Sequence, residues 1–260
     1  MARYIEVDFA EVTTKKAMAI RKNRQLSAVL GEEVSLCGWL VVSKRADALR
    51  ASTAQGGAAL HSPVYHLLPC DLRLPPAKAL GPVLEPLLAP SLRTLLLFEC
   101  VLAYMTPDAS SALLRWFVDH MGAGVLGCVV YEMFGLNDAF GKVMVNNLKV
   151  RAARMCQAAV TNLDLQERNV TLVGAEPFIT LDALKKRFYD VGFVHADAIT
   201  LRDIRRWYVD ETEVERVSQL ELLDEVEELE LVLSHYAVSW GVTGAAGWGL
   251  KKQVSVRQKE

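Results

Sequence analysis

The chain has 260 residues, of which 52% are hydrophobic, enough for a packed core. Its 29 Lys and Arg against 31 Asp and Glu leave a formal net charge of -2, which gives no electrostatic footprint for a nucleic-acid backbone. Five cysteines, never in CxxC spacing, fit a reducing compartment better than a disulfide framework or a zinc site, and no apolar run approaches the roughly 20 residues needed to cross a bilayer; a soluble, cytoplasmic protein is expected.

Tyr4-Ile-Glu-Val-Asp8 is a short apolar run closing on an acid, and it predicts a buried strand over 4–9. From Val12 to about Val29, Ala17, Ile20, Leu26 and Val29 recur among polar residues and then meet Gly31, which predicts one amphipathic helix with a glycine stop. Signals weaken from Gly31 to Ser62; the small residues from Ala51 to Ala59 predict a loop, and 43–62 is expected to be flexible. Tyr65-His-Leu-Leu-Pro-Cys-Asp71 is a second acid-ended strand. Pro75 and Pro76 stop it, and Pro82, Pro86 and Pro90 punctuate a short helical crossover.

The third strand, over 94–103, contains Leu95-Leu-Leu-Phe-Glu99. Thr106 can then cap, and Pro107 can open, a helix whose buried face is Leu113, Leu114, Phe117 and Met121 and which stops near Gly122. A fourth apolar run, Val125 to Tyr131, closes on Glu132. Asp138 to about Asn162 predicts a long helix, Thr180 to Val191 a shorter one stopped by Gly192, and Phe193 to Thr200 a strand. From Thr212 to about Leu233, Val214, Val217, Leu220, Leu223, Val226 and Leu229 form one apolar stripe on an acidic helix, expected to lie over the sheet with its charges in solvent. His235 to Val242 is the last strand, followed by a Gly-rich turn from Gly244 and a basic tail. The alternation of strands and helices predicts an α/β protein with a parallel doubly wound sheet, one domain over 1–260, mainly helical from 138 to 235.

Gly122-Ala-Gly-Val-Leu-Gly127 matches GxGxxG, but its context is inverted: a dinucleotide fingerprint follows a strand and opens a helix, whereas these glycines follow a helix and lead into a strand. They read as a helix C-cap and turn, not as a nicotinamide site. His61, His66, His120, His195 and His235 show no short metal-ligand spacing, no GxSxG elbow is present, and Cys100 and Cys128 sit in apolar strands where a thiol behaves as a small hydrophobe. No metal site and no acid–base or nucleophilic constellation is expected. Asp8, Asp71 and Glu99 remain. One carboxylate at a strand end is ordinarily a cap or turn former; three at the carboxyl edge of a parallel sheet face the crevice where such sheets hold ligands, and they suit the hydroxyls and amines of a nucleoside.

The blocks Tyr4-Ile-Glu-Val-Asp-Phe, Cys70-Asp-Leu-Arg, Phe98-Glu-Cys-Val-Leu-Ala-Tyr-Met-Thr-Pro-Asp, Tyr131-Glu, Asn137-Asp-Ala-Phe-Gly-Lys-Val-Met, Leu220-Glu-Leu-Leu-Asp-Glu and His235-Tyr occur in this order between Tyr4 and about Leu250. In these blocks the sequence resembles the leucine carboxyl methyltransferase family. The resemblance implies a class I, Rossmann-like sheet of order 3-2-1-4-5-7-6 that uses S-adenosylmethionine to methylate the C-terminal leucine α-carboxylate of the protein phosphatase 2A catalytic subunit. It implies Asp8 on the ribose of the cofactor, Asp71 and Leu72 on its adenine side, Glu99 beside its amino-acid end, and Tyr104 in the substrate pocket. The phosphatase tail is the implied partner, with no nucleic acid or membrane, and the protein is expected to be a monomer.

Relative to that pattern the chain is expected to be N-terminally truncated. It lacks the first central strand with its glycine-rich turn and the upstream basic residues that hold the carboxylates of cofactor and substrate. Two further readings accompany the first. One is a non-catalytic phosphatase-binding remnant. The other is a relative that methylates an RNA-base side chain in wybutosine formation; the absence of a blade-like repeat after Gly249 and the mild acidity argue against it.

Overall fold

A computed structural model describes residues 3–30, 35–37, 57–121, 124–158, 172–220 and 225–244. They fall into two compact units, Met1–Ala89 and Pro90–Glu260. The molecule is mixed α/β, with one four-stranded sheet in the order β1-β4-β3-β2 and another in the order β5-β6-β8-β7.

In the first unit, β1 (Tyr4–Asp8) leads into α1 (Ala10–Lys22) and α2 (Arg24–Val29), followed by β2 (Ser35–Cys37), β3 (Ala59–His61) and β4 (Tyr65–Pro69). β1 and β4 are parallel, with Tyr4 opposite Tyr65 and Asp8 opposite Pro69; β3 is antiparallel to both β4 and β2. Ala17 and Ile20 on α1 bury against Leu60 and Leu67 of the sheet, so the apolar spacing of this helix is satisfied by core contact. The single helix expected from Val12 to Val29 is broken at Asn23. Its extended backbone leaves the helical region, and its Oδ1 accepts the Gln25 and Leu26 amides at 3.0 and 3.2 Å, an N-cap for α2. Gly31 lies outside the described residues, as does 43–56; β3 falls in the interval expected to be a loop. The proline-rich stretch forms α3 (Pro76–Ala79), α4 (Gly81–Leu84) and a 3-10 turn at Glu85–Leu87, as its punctuation predicts.

The second unit opens with β5 (Thr94–Glu99), followed by a 3-10 turn (Leu102–Tyr104), α5 (Pro107–His120), β6 (Leu126–Met133), α6 (Ala139–Ala158) and α7 (Leu181–Val191). β7 (His195–Thr200), α8 (Leu201–Trp207), α9 (Glu211–Ser218), α10 (Val226–Ser234) and β8 (Tyr236–Val242) complete it. Thr106 caps α5 by accepting the Ala109 amide at 3.3 Å, and Leu113, Leu114, Phe117 and Met121 are all buried, the face that the sequence predicts. Thr180 caps α7, and Gly192 ends it at φ +108°, a left-handed conformation suited to glycine.

Among the described strands of this unit only β5 and β6 pair in parallel; β8 is antiparallel to β6 and to β7, so the sheet is mixed rather than uniformly parallel. The expected third strand is also shorter. It stops at Glu99, because Cys100 adopts φ +52° and turns the chain off the sheet. The acidic segment is not one helix: α9 ends at Ser218, α10 begins at Val226, and Val217, Leu220 and Val226 of the proposed stripe are exposed. Leu223 lies outside the described residues, as does Gly122, although the GxGxxG segment does run from helix α5 to strand β6.

Candidate functional site

Strand polarity places the predicted acids. In the first unit, β1 and β4 run the same way and end together, so Asp8 stands at the carboxyl end of the pair, and its carbonyl accepts the Cys70 amide at 2.9 Å. This bond carries the ladder one residue past the strand and brings Asp8 beside the loop that begins with Asp71 and Leu72. The Asp8 carboxylate accepts the Phe9 amide at 2.7 Å and has no other partner among the described residues.

Asp71 is more engaged than a strand-end acid. The chain has already left β4 at Pro69, and Asp71 accepts the Arg73 amide at 3.0 Å, Arg73 Nε at 2.9 Å and Arg73 Nη2 at 2.7 Å. This fork is a bidentate charge-assisted contact, and it holds the Asp71 carboxyl below its ordinary range. The same guanidinium lies 5.1 Å from the Phe9 ring centre. The Asp71-Leu72-Arg73 loop is therefore tied both to itself and to the residue following Asp8. Burial, helped by the Asp71 charge, raises the Cys70 thiol to about 11, so this cysteine stays a thiol at neutral pH.

In the second unit, Glu99 closes β5, and its register partner on β6 is Tyr131, so the two side chains share one face of the sheet. The Cys100 amide donates to the Tyr131 carbonyl at 2.7 Å just where its own φ is positive. A non-glycine residue in this region is uncommon, and its place directly after Glu99, at the carboxyl end of parallel strands, is where strained backbone and ligand sites coincide. Tyr104 follows on the 3-10 turn and is 38% exposed. That turn is clamped from behind: the Gly174 amide donates to the Ala103 carbonyl at 3.0 Å, and a Cβ on Gly174 would lie 2.2 Å from the Leu102 oxygen. Only glycine permits that approach.

The structure adds two tyrosines that sequence reasoning did not select. Tyr131 stacks on Tyr236 at the start of β8, with ring centres 5.4 Å apart and 19° between planes. Burial raises the Tyr104, Tyr131 and Tyr236 phenols above their ordinary value, with Cys100 as a lesser common cause; Glu99 adds to the effect on Tyr131. The only sequence signal for these residues was their presence in family-like blocks, because nothing in one dimension pairs residue 131 with 236.

Among the described residues no group of three or more His, Cys, Asp or Glu side chains is placed to hold a metal ion, and no helix is long and apolar enough to cross a membrane. Chemically, the two units offer acceptors: strand-end carboxylates for hydroxyl and amino groups, and aromatic faces beside one of them. Asp8, Asp71 and Leu72 belong to the first unit, and Glu99 and Tyr104 to the second.

Residues 1–118 match the family described as leucine carboxyl methyltransferase. Leucine carboxyl methyltransferase 1 of Cryptococcus neoformans is 37% identical over 94% of this chain and 64% of its own length. The homolog of that protein from Arabidopsis thaliana is 33% identical over 94% of this chain and 62% of its own. The Bos taurus protein is 29% identical over 96% of this chain and 65% of its own. The chain thus spans a little under two thirds of the length of these curated relatives.

Proposed function

We propose that the chain belongs to the leucine carboxyl methyltransferase family and acts as an S-adenosylmethionine-dependent protein methyltransferase whose acceptor is the C-terminal leucine carboxylate of the protein phosphatase 2A catalytic subunit. The observation that carries this reading is the placement of Asp8 and Glu99 at the carboxyl ends of the two parallel strand pairs. The finer fold reading, a class I methyltransferase sheet without its first central strand, is supported by strand order. β4-β1 reproduces the 3-2 run of the order 3-2-1-4-5-7-6, and β5-β6-β8-β7 reproduces its 4-5-7-6 run.

The donor set fits the cofactor chemically. Asp8 keeps an oxygen with no partner among the described residues and would accept from the ribose hydroxyls. The Asp71-Leu72 loop, held rigid by the Arg73 fork, would border the adenine, and Glu99 would accept from the ammonium of the amino-acid end. Tyr104, half-exposed on its clamped turn, would line the acceptor pocket. When bound, the cofactor supplies an electrophilic methyl group on a sulfonium. Methyl transfer to a carboxylate oxygen would set a cationic donor against an anionic acceptor, a charge pair that these residues would align and shield from water.

A peptide α-carboxyl group has an ordinary pKa of about 3.5 and is ionised at pH 7, so no general base is required. The work left to this chain is alignment of donor and acceptor and exclusion of water from the charge pair. That is consistent with a site built of acceptors and aromatic rings.

Calorimetric titration with S-adenosylmethionine tests the assignment. A charge-assisted hydrogen bond is worth about 1.5–3 kcal/mol, so Asp8→Ala and Glu99→Ala should each weaken binding roughly tenfold to a hundredfold. Unchanged affinity in both variants would overturn the cofactor roles. Transfer of labelled methyl to the phosphatase core enzyme tests the acceptor.

A further inference from the structure

Three tyrosines of the second unit gather near the end of β5, Tyr131 by register, Tyr236 by stacking on it and Tyr104 on the turn that follows the strand. Tyr131 is fixed beside Glu99 by the β5–β6 register. Tyr236, opposite Met133 on β8, is fixed against Tyr131 by stacking and packs on the cluster of Ala103, Met133, Leu172 and Ala175. Tyr104 comes from the turn that Gly174 clamps.

Glu99 is the acid of this cluster, and it has no ion-pair partner among the described residues. Ion pairs described in the second unit go elsewhere, among them Arg187 to Glu132, Lys186 to Asp190, Lys185 to Asp182, Arg202 to Asp203, Arg205 to Glu230, Arg216 to Glu213 and His235 to Asp138. Glu99 would answer the ammonium that methyl donor and spent product share, so the two differ here only in the positive charge on sulfur, three carbons away from that ammonium. A positive charge on sulfur is attracted by the negative faces of the rings.

We propose that Tyr131 and Tyr236, beside Glu99, form a cation-selective wall that distinguishes the positively charged sulfonium donor from the uncharged thioether sulfur left after transfer. This rests on the cofactor reading above and deepens it, since it assigns selectivity for charge to two residues that the cofactor reading does not use. The wall favours the loaded donor over the spent product and so opposes product inhibition.

The test is a ratio: the dissociation constant of S-adenosylhomocysteine divided by that of S-adenosylmethionine, measured by calorimetry on the full 260-residue chain and its variants. Tyr131→Phe keeps the ring face and should keep the ratio. Tyr131→Leu and Tyr236→Leu remove one face each and should lower it about fivefold to thirtyfold, the scale of a partly desolvated cation–π contact. Glu99→Gln, which touches a group that both ligands carry, should weaken both and keep the ratio.

An unchanged ratio in both leucine variants overturns the proposal. Loss of both ligands in both leucine variants overturns it too, because a wall that selects only for charge leaves thioether binding intact. A parent chain that binds neither nucleoside overturns the cofactor reading itself, and this inference with it; a parent that binds both while the leucine variants keep its ratio overturns this inference alone.

Discussion

Tyr131 and Glu132 are neighbours in sequence and face opposite sides of β6, with opposite fates. Tyr131 lies on the face of Glu99, while Glu132 is 1% exposed and pairs with Arg187, whose guanidinium also lies 4.6 Å from the Phe178 ring centre. Glu132 Oε2 and Arg187 Nε and Nη1 have no hydrogen-bond partner among the described residues. A buried pair of this kind is unforgiving when halved, since the remaining charge keeps its desolvation penalty without its partner. Arg187→Met should therefore cost about 3–5 kcal/mol, read from urea unfolding at unchanged slope. The double variant Arg187→Met with Glu132→Gln should recover part of the loss. If the single and double variants are equally unstable, the cost lies in lost packing around Phe178 and Phe188 rather than in the stranded charge.

Elements divide by whether their signals are local. Thr106 before Pro107, Thr180 before Leu181 and Gly192 after Val191 are cap chemistry readable within a few residues, and α5 and α7 begin and end where those signals stand. The break between α1 and α2 was not legible, because Asn23 is tolerable within a helix and becomes a cap only when the sheet fixes the direction of each half. The antiparallel pairing of β8 with β6 and β7 was hidden for a related reason: apolar alternation reports a strand, and nothing in it reports the polarity of a neighbour. Of the candidate site, the strand-end acids Asp8 and Glu99 were legible from run boundaries. The Tyr131–Tyr236 stack needs the register, and the Arg73 fork on Asp71 needs the turn after Pro69. At this scale the prediction concerns the cap. Asn23→Ala removes the acceptor of two amides and should cost about 1 kcal/mol, with faster hydrogen exchange at Gln25 and Leu26. Unaltered exchange at both amides would mean that packing, not the cap, sets the start of α2.

At the scale of the molecule, each compact unit has its own sheet and its own buried side chains. The first closes Ala17 and Ile20 over Leu60 and Leu67, and the second holds separate clusters around Met133 with Leu172 and around Leu184 with Ala237. A chain with more than one core does not unfold by a single all-or-none transition as a matter of course. Scanning calorimetry is therefore expected to resolve two transitions, and paired core variants assign them. Leu67, fully buried in the first unit, and Leu113, fully buried in the second, are comparable deletions when changed to Ala; each should cost about 2–5 kcal/mol by lost transfer energy and cavity formation. Leu67→Ala should lower one transition and leave the other in place, and Leu113→Ala should do the reverse. S-adenosylmethionine adds a second axis to the same experiment. A ligand that binds only the folded state raises the transition of whatever it contacts, by about 2.7 kcal/mol at a hundred times its dissociation constant. With Asp8 in one unit and Glu99 in the other, the proposed cofactor roles require both transitions to rise. A rise confined to one transition would remove the cofactor role from the acids of the other unit.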